Sequence, residues 1–157
     1  GQGPEEPALR NRAMELGLAG HVTFRKPMAA REAFKLARVM VVPSRFESMP
    51  YVVIEAAGAR MPMISTNVGG IPEIFGDEGH RLLAPEDVAS LADAMAKAQS
   101  ATLADLAAPA ERLQAHIREN FSVANMAAIG IDAYGEAAAR RSATPRAEAA
   151  TAHGKTG

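Results

Sequence analysis

Apolar residues recur along the chain at two spacings, one typical of helices and one typical of strands. The helical spacing predicts helices over residues 4–16, 29–37, 50–60, 72–75, 86–99, 103–119 and 123–140. Short apolar or alternating runs predict strands over residues 21–25, 39–42, 62–66 and 81–84. Because strands and helices alternate, the expected fold class is α/β, with a Rossmann-like, doubly wound parallel sheet.

The predicted sheet has an edge suited to ligand binding. The runs 39–42 and 62–66 are apolar enough to be buried on both faces of a parallel sheet. In such sheets, ligands bind in the crevice beyond the carboxyl ends of the strands.

From residue 141 onward large apolar residues are absent, which predicts one domain over residues 1–140 and a disordered tail over residues 141–157.

Composition and charge exclude several classes of function. The 157 residues carry a net charge of −1, which gives no general attraction to nucleic acid. Cysteine is absent, so disulfides and thiolate chemistry are excluded. The histidines are far apart and not at metal-ligand spacing: His21, His80, His116 and His153. We therefore expect no metal, no cofactor and no nucleic-acid partner.

The segment after the second predicted strand carries candidate chemistry. Its loop holds Glu47, and the helix that follows holds Glu55. Free backbone N–H groups at the start of that helix, around Met49, Tyr51 and Val52, suit a phosphate. Glu55 could accept hydrogen bonds from a ribose diol, and Glu47 could bind a sugar hydroxyl or stabilise charge on a ring oxygen. Taken singly, the glutamates are better explained as a solvated loop residue (Glu47) and a residue that caps or decorates a helix (Glu55).

The order of the motifs adds weight to the functional reading. Pro43-Ser44-x-x-Glu47 is followed eight residues later by Glu55-Ala56, and then by Val68-Gly69-Gly70-Ile71-Pro72-Glu73. This pattern resembles the C-terminal, donor-binding half of the retaining glycosyltransferases of family 4, the group 1 glycosyl transferases. These enzymes have the GT-B architecture of two facing Rossmann-like domains. The resemblance covers about residues 1–135.

The resemblance implies an activity and a role for each site residue. The implied activity is transfer of a hexose from a nucleoside diphosphate sugar to an acceptor, with retention, in polysaccharide biosynthesis. Glu47 would be the catalytic residue beside the donor sugar, and Glu55 would bind the ribose. The stretch that would hold the distal phosphate consists of Ser48, Met49, Pro50, Tyr51 and Val52. Arg25 and Lys26 would lie near the nucleobase, although a solvated strand end explains them as well.

The resemblance also implies partners outside this sequence. In the family, the domain opens with two further central strands and a basic Gly-Arg and Lys-Gly region, and a separate N-terminal domain binds the acceptor. The chain is therefore expected to be N-terminally truncated and inactive alone. The implied location is cytoplasmic, with the inner membrane face as an alternative reached only through the acceptor domain.

Four positions depart from the family pattern, in which glycine is usual: Lys26, Ser48, Arg60 and Arg81. Arg60 is expected in a left-handed turn, where a side chain costs about 1 kcal/mol. Ser48 adds a side chain where backbone approaches the ligand, although its hydroxyl could cap the helix or bind phosphate. These departures motivate one alternative, a non-catalytic nucleotide-sugar-binding module or scaffold. A GT-B epimerase or phosphorylase is a further alternative, and the departures do not bear on it.

Overall fold

The computed structural model describes residues 3–143, and the side chains of residues 3–140. The chain divides into two compact units, residues 1–118 and residues 119–157. The helices are α1 Glu6–Glu15, α2 Ala30–Phe34, α3 Tyr51–Gly58, α4 Ile71–Phe75, α5 Val88–Ser100, α6 Leu103–Asn120 and α7 Val123–Ala143, with a 3₁₀ helix at Gly76–Arg81. The strands are β1 Met40–Val42 and β2 Met63–Ser65. The expected tail falls, from residue 144, outside the described residues.

The sheet is parallel, as the alternation of elements predicts. β1 pairs with β2, and Val42 lies opposite Ser65 in the register. A single parallel bridge joins Thr66 to Leu83, where the Leu83 N–H donates to the Ser65 carbonyl at 3.0 Å. The strand predicted over 81–84 is reduced to this bridge, because the 3₁₀ helix continues to Arg81. The α/β class and its parallel pairing are thus confirmed.

The strand predicted over residues 21–25 is wrong. The N–H groups of His21 and Val22 both donate to the Leu18 carbonyl, at 2.8 and 3.0 Å, so the segment begins as a turn. The Phe24 ring lies 4.4 Å from the Arg10 guanidinium of α1. Alternating apolar residues favour a strand only where a neighbouring strand can pair, and none of the described residues pairs with this segment.

Most helices match the predicted ones to within two or three residues. The helix predicted over 29–37 is the largest difference, since α2 ends at Phe34. Gly17 follows α1 with a φ of 68°, as expected of a helix-terminating glycine. Arg60 follows α3 with a φ of 56°, which confirms the expected left-handed turn. Within the described part of the chain, no helix has the length and apolar character needed to span a membrane.

The core lies around the sheet and the helices that follow it. Each of three helices buries three residues there: Val53, Ala56 and Ala57 of α3, Ile71, Ile74 and Phe75 of α4, and Ala110, Leu113 and Ile117 of α6. Neither α1 nor α2 buries a residue. The tightly packed part of the larger unit therefore surrounds the carboxyl ends of β1 and β2, and it holds the loops there in place.

Candidate functional site

The loop between β1 and α3 holds Glu47 through a hydrogen bond within the loop. The Ser44 hydroxyl donates to Glu47 Oε1 at 2.7 Å. The buried Thr66 hydroxyl, just after β2, donates to the Ser44 carbonyl at 2.6 Å. Glu47 is half-buried, and among the described residues its Oε2 atom has no hydrogen-bond partner. One carboxylate oxygen is thus anchored to the sheet edge, while the other is available to a ligand.

The loop after β2 packs directly on the backbone of Glu47 and Ser48. The Gly70 N–H donates to the Ser48 carbonyl at 2.6 Å. Gly69 has a φ of 54°, and a Cβ atom there would overlap the Glu47 carbonyl oxygen. A Cβ atom on Gly70 would lie 2.6 Å from the Ser48 carbonyl oxygen. The two glycines are therefore required by this close approach of backbones, which joins two motifs distant in the sequence.

The first turn of α3 presents backbone donors. Pro50 is buried at the N-cap, and its carbonyl accepts from the N–H groups of Val53 at 3.0 Å and Ile54 at 3.4 Å. Within the described residues, the N–H groups of Tyr51 and Val52 have no partner, and no side chain caps the helix. These donors and the positive end of the helix dipole suit an anion.

Two of the candidate residues, Ser48 and Met49, differ in how exposed their side chains are. Ser48 is exposed and does not cap α3, so the capping role considered for its hydroxyl is wrong. Met49, half-buried, packs close to Gly70, because a Cβ atom on that glycine would lie 2.9 Å from the Met49 methyl carbon. Ser48 is therefore the one of the two whose side chain is open to a ligand.

Glu55 lies on the exposed face of α3. Helical spacing places it on the same face as Tyr51 and Val52, both of which are exposed. The opposite face is the buried one that contributes to the core. In the described part of the chain, the Glu55 carboxylate has neither a hydrogen bond nor an ion pair, so it is free to accept hydrogen bonds from a ligand.

Arg25 and Lys26 reach the same region from another part of the chain. Together with Val52 they line a groove of about 480 Å³ whose other walls are mostly apolar, among them Met40 and Met61. The structure therefore brings three of the candidate binding residues together. Glu47 and Glu55 do not line this groove.

A second cleft lies beyond the carboxyl ends of β1 and the Leu83 bridge. Its volume is about 620 Å³, and it is lined by Ser44, Arg45, Phe46, Pro85 and Glu86. Phe46 is 93% exposed. Neither a role for Phe46 nor the Ser44 bond to Glu47 was predicted from the sequence. The Ser-x-x-Glu spacing did indicate the Ser44–Glu47 hydrogen bond, because a hydroxyl three residues before a carboxylate can bond to it within one turn.

The far wall of this cleft is fixed by the start of α5. Asp87 is the N-cap of that helix, and it accepts hydrogen bonds from the Ser90 N–H at 3.0 Å and the Ser90 hydroxyl at 2.6 Å. These bonds lower the pKa of Asp87 below its usual value of 3.8. Glu86 has a φ of 63° and lies 3.7 Å from Arg45 across the cleft. Among the described residues, no three acidic or histidine side chains group closely enough to hold a metal ion.

Comparisons with known proteins bear on this arrangement. The family described as "Glycosyl transferases group 1" matches residues 1–100, which include β1, β2, the loop that carries Glu47 and the helix that carries Glu55. A D-inositol 3-phosphate glycosyltransferase from Stackebrandtia nassauensis is 34% identical over 154 residues, which are 93% of this chain and 34% of that protein. The putative teichuronic acid biosynthesis glycosyltransferase TuaC from Bacillus subtilis is 37% identical over 99 residues, which are 62% of this chain and 24% of TuaC.

A solved structure is also similar in fold. Sucrose-phosphate synthase from Thermosynechococcus elongatus matches 88% of this chain with a TM-score of 0.76 and 25% identity. The match covers 35% of the synthase chain. This chain therefore spans about a quarter to a third of the length of these relatives.

Proposed function

Because the chain belongs to the group 1 glycosyl transferases, we propose that it is the donor-binding part of a family 4 enzyme. The proposed reaction transfers a hexose from a nucleoside diphosphate sugar to an acceptor hydroxyl, with retention of configuration. The observation that carries the proposal is the loop between β1 and α3. It holds Glu47 through Ser44 at 2.7 Å, directly before a helix whose first N–H groups are unpaired within the described residues.

The diphosphate would bind at the start of α3. The N–H groups of Tyr51 and Val52 would donate to the distal phosphate, and the exposed Ser48 is three residues before Tyr51 in the sequence. Charge develops on the diphosphate as it leaves, so donors and a helix dipole that are already in place stabilise the transition state. This scheme supplies stabilisation from the chain itself and routes no step through a metal ion.

The nucleoside would extend along the exposed side of α3. Glu55, without a partner in the described part of the chain, would accept hydrogen bonds from the two ribose hydroxyls. Arg25 and Lys26 line the groove that also contains Val52, which puts both cations beside the helix where the nucleotide would lie. We therefore place the nucleobase toward that groove.

Glu47 would act on the sugar. As the bond from the anomeric carbon to the diphosphate oxygen breaks, positive charge develops on the ring oxygen, and a nearby carboxylate stabilises it. The acceptor oxygen bonds to the anomeric carbon on the face from which the diphosphate leaves, and its proton passes to the diphosphate. Attack on that face retains the configuration. Ser44 positions the Glu47 carboxylate for this task.

We further propose that a separate domain binds the acceptor. The chain matches only 24% of TuaC and 34% of the D-inositol 3-phosphate glycosyltransferase, so most of each relative lies outside the match. The names of these relatives suggest a polyhydroxylated acceptor, such as a cyclitol phosphate or a growing polysaccharide. A cytoplasmic enzyme, working at the inner membrane face through its acceptor domain, fits such substrates.

The experiment that tests donor binding is a thermal-shift panel on this chain and on the full-length protein that contains it. The ligands are UDP, GDP, ADP and their sugars. A ligand at 100 times its Kd should add about 2.7 kcal/mol of stability. We expect one nucleotide series to stabilise the protein and Glu55→Ala to abolish that effect, while the control Glu119→Ala, an exposed glutamate near the end of α6, retains it. Donor binding is contradicted if no nucleotide stabilises the full-length protein or if both variants respond equally.

A further inference from the structure

The cleft beyond β1 has the chemistry of a sugar or cyclitol site. Phe46 presents an almost fully exposed ring, and the Pro85 ring lines the cleft beside it. Aromatic rings contribute a large apolar contact area with little loss of conformational freedom. The C–H face of a pyranose or cyclohexane polyol is the apolar surface that such a ring accepts. An exposed aromatic ring in a cleft is therefore a candidate contact for a ring-shaped ligand.

Polar groups surround this apolar patch. Ser44 lines the cleft, and the Arg45 guanidinium lies 3.7 Å from the Glu86 carboxylate. Both charged side chains are mostly exposed, so their mutual attraction is weak and each can bond to a ligand hydroxyl. A polyol offers both donors and acceptors around its rim, which matches a carboxylate, a guanidinium and a hydroxyl.

The cleft is separate from the groove proposed for the nucleotide. The cleft and the groove that contains Arg25, Lys26 and Val52 share no residue. Glu47 is linked to the cleft by one hydrogen bond, because Ser44 both lines the cleft and donates to Glu47 Oε1. A transfer reaction needs its second substrate beside the group that acts on the sugar. The cleft meets that requirement through Ser44, which bonds to Glu47.

We propose that this cleft contributes to acceptor binding together with the separate acceptor domain, with the ring of a polyol stacked on Phe46 and its hydroxyls bonded to Arg45 and Glu86. The inference rests on the proposed function and adds to it, because it gives the donor domain a share of acceptor recognition. Phe46 is in this scheme a specificity-determining residue, and the class of ligand is a cyclic polyol or pyranoside.

The test is saturation-transfer NMR on the full-length protein with a nucleoside diphosphate bound. The probes are D-inositol 3-phosphate and methyl α-D-glucopyranoside. We expect transfer to the ring C–H protons of at least one probe in the wild type, and a loss of affinity of about five- to tenfold in Phe46→Ala. Phe46→Tyr should keep the contact. Tyr134→Ala, which removes an 81% exposed aromatic side chain on α7, is the matched control and should not change it.

The inference is overturned if neither probe receives saturation in the wild type or if Phe46→Ala binds as well as the control. It is also overturned if Phe46→Ala loses nucleotide stabilisation together with the probe, since Phe46 would then support the fold or a domain contact. The nucleotide thermal shift, measured on the same samples, separates this inference from the proposed function. A protein that binds nucleotide but shows no Phe46 effect fails only the present inference.

Discussion

The contact between Gly69 and Glu47 shows how single residues shape the site. A parallel β1–β2 pair brings the loops after both strands to one edge, and there the backbones touch. Gly69 combines a φ of 54° with a position where a Cβ atom would meet the Glu47 carbonyl oxygen. The residue proposed as catalytic is therefore positioned by a glycine about twenty residues away in the sequence.

Gly69→Ala should move the Glu47 loop. The added methyl group cannot fit without a backbone shift, and the left-handed conformation adds about 1 kcal/mol of strain, so we expect a loss of about 2–3 kcal/mol in the free energy of unfolding. Denaturant unfolding measures the loss. The control is Gly58→Ala, because a Cβ atom at that helical position meets nothing within 4 Å. Equal stabilities for the two variants would show that the loops do not touch.

Arg60 has a side chain at a left-handed turn where the sequence resemblance implies glycine. It adopts a φ of 56°, and its side chain forms an exposed ion pair with Glu111 at 3.0 Å. Arg60→Gly should therefore raise the free energy of unfolding by about 1 kcal/mol at high salt, where the ion pair is screened. Urea unfolding at low and high salt checks this, and a decrease at high salt would contradict it.

Only some of these residue-level features could be predicted from the sequence. The left-handed turn at Arg60 was predictable, because a helix-terminating position favours glycine for a known steric reason. The close approach of Gly69 to Glu47 was not, because it depends on where two loops meet in space. Phe46 was missed for a similar reason, since an isolated aromatic residue before Glu47 carries no periodic signal.

At the scale of elements, a buried carboxylate joins the 3₁₀ helix to α6. Glu78 has a side chain that is 9% exposed, and it accepts hydrogen bonds from Arg112 at 2.6 and 3.2 Å and from Arg81 at 3.3 Å. The hydrogen bond from Arg112 lowers the pKa of Glu78 below its ordinary value of 4.5, against the opposing effect of burial. Arg81, at a position where the sequence resemblance implies glycine, contributes to this cluster.

Glu78 makes the stability of the larger unit depend on pH. Its pKa is lower in the folded state, so its contribution is complete above pH 4.5, the ordinary pKa, and is lost as the pH falls through the lowered folded value. Glu78→Gln should cost about 2 kcal/mol at pH 7 and progressively less in acid. Thermal unfolding from pH 7 to pH 3 measures the difference. A difference that stays constant over this range would rule out the assigned role.

The segment over residues 21–25 shows why strands are harder to predict than helices. Helices such as α3 and α6 form from local hydrogen bonds and one buried stripe, and both were predicted closely. A strand needs a neighbouring strand to pair with. Here the N–H groups of His21 and Val22 instead form turn hydrogen bonds to the Leu18 carbonyl. The pattern of β-forming residues was thus correctly recognised, but its pairing could not be read from the sequence.

At the scale of the whole molecule, burial is uneven along the larger unit. Residues around β1, β2, α3 and α4 form the core, whereas α1 and α2 bury none of theirs. Weakly packed segments open at lower free energy than the core. Amides of α1 should therefore exchange with deuterium well before those of α3. Hydrogen-exchange mass spectrometry checks this order, and equal protection of the two helices would contradict it.

The sequence was sufficient to predict the fold class, the parallel pairing and the family. The alternation of strands and helices indicates the first two, and the order of the motifs indicates the third. The carboxyl edge of the sheet was predicted from the sequence as the ligand-binding edge. The hydrogen bonds and contacts there, among Ser44, Glu47, Thr66 and the glycine pair, were not predicted. Those bonds depend on side-chain geometry across loops that no periodicity describes.

The measurement that tests the central claim most directly is the rate and stereochemistry of transfer by the full-length protein with Glu47→Gln. The variant keeps the shape of the side chain but removes the charge that would stabilise the developing positive charge on the sugar. We expect the wild type to retain the anomeric configuration, and the variant to lose at least about a hundredfold in kcat while its nucleotide affinity is kept. Glu119→Gln, the matched control, should transfer at the wild-type rate. An unchanged rate in Glu47→Gln, or a product of inverted configuration, would contradict the account.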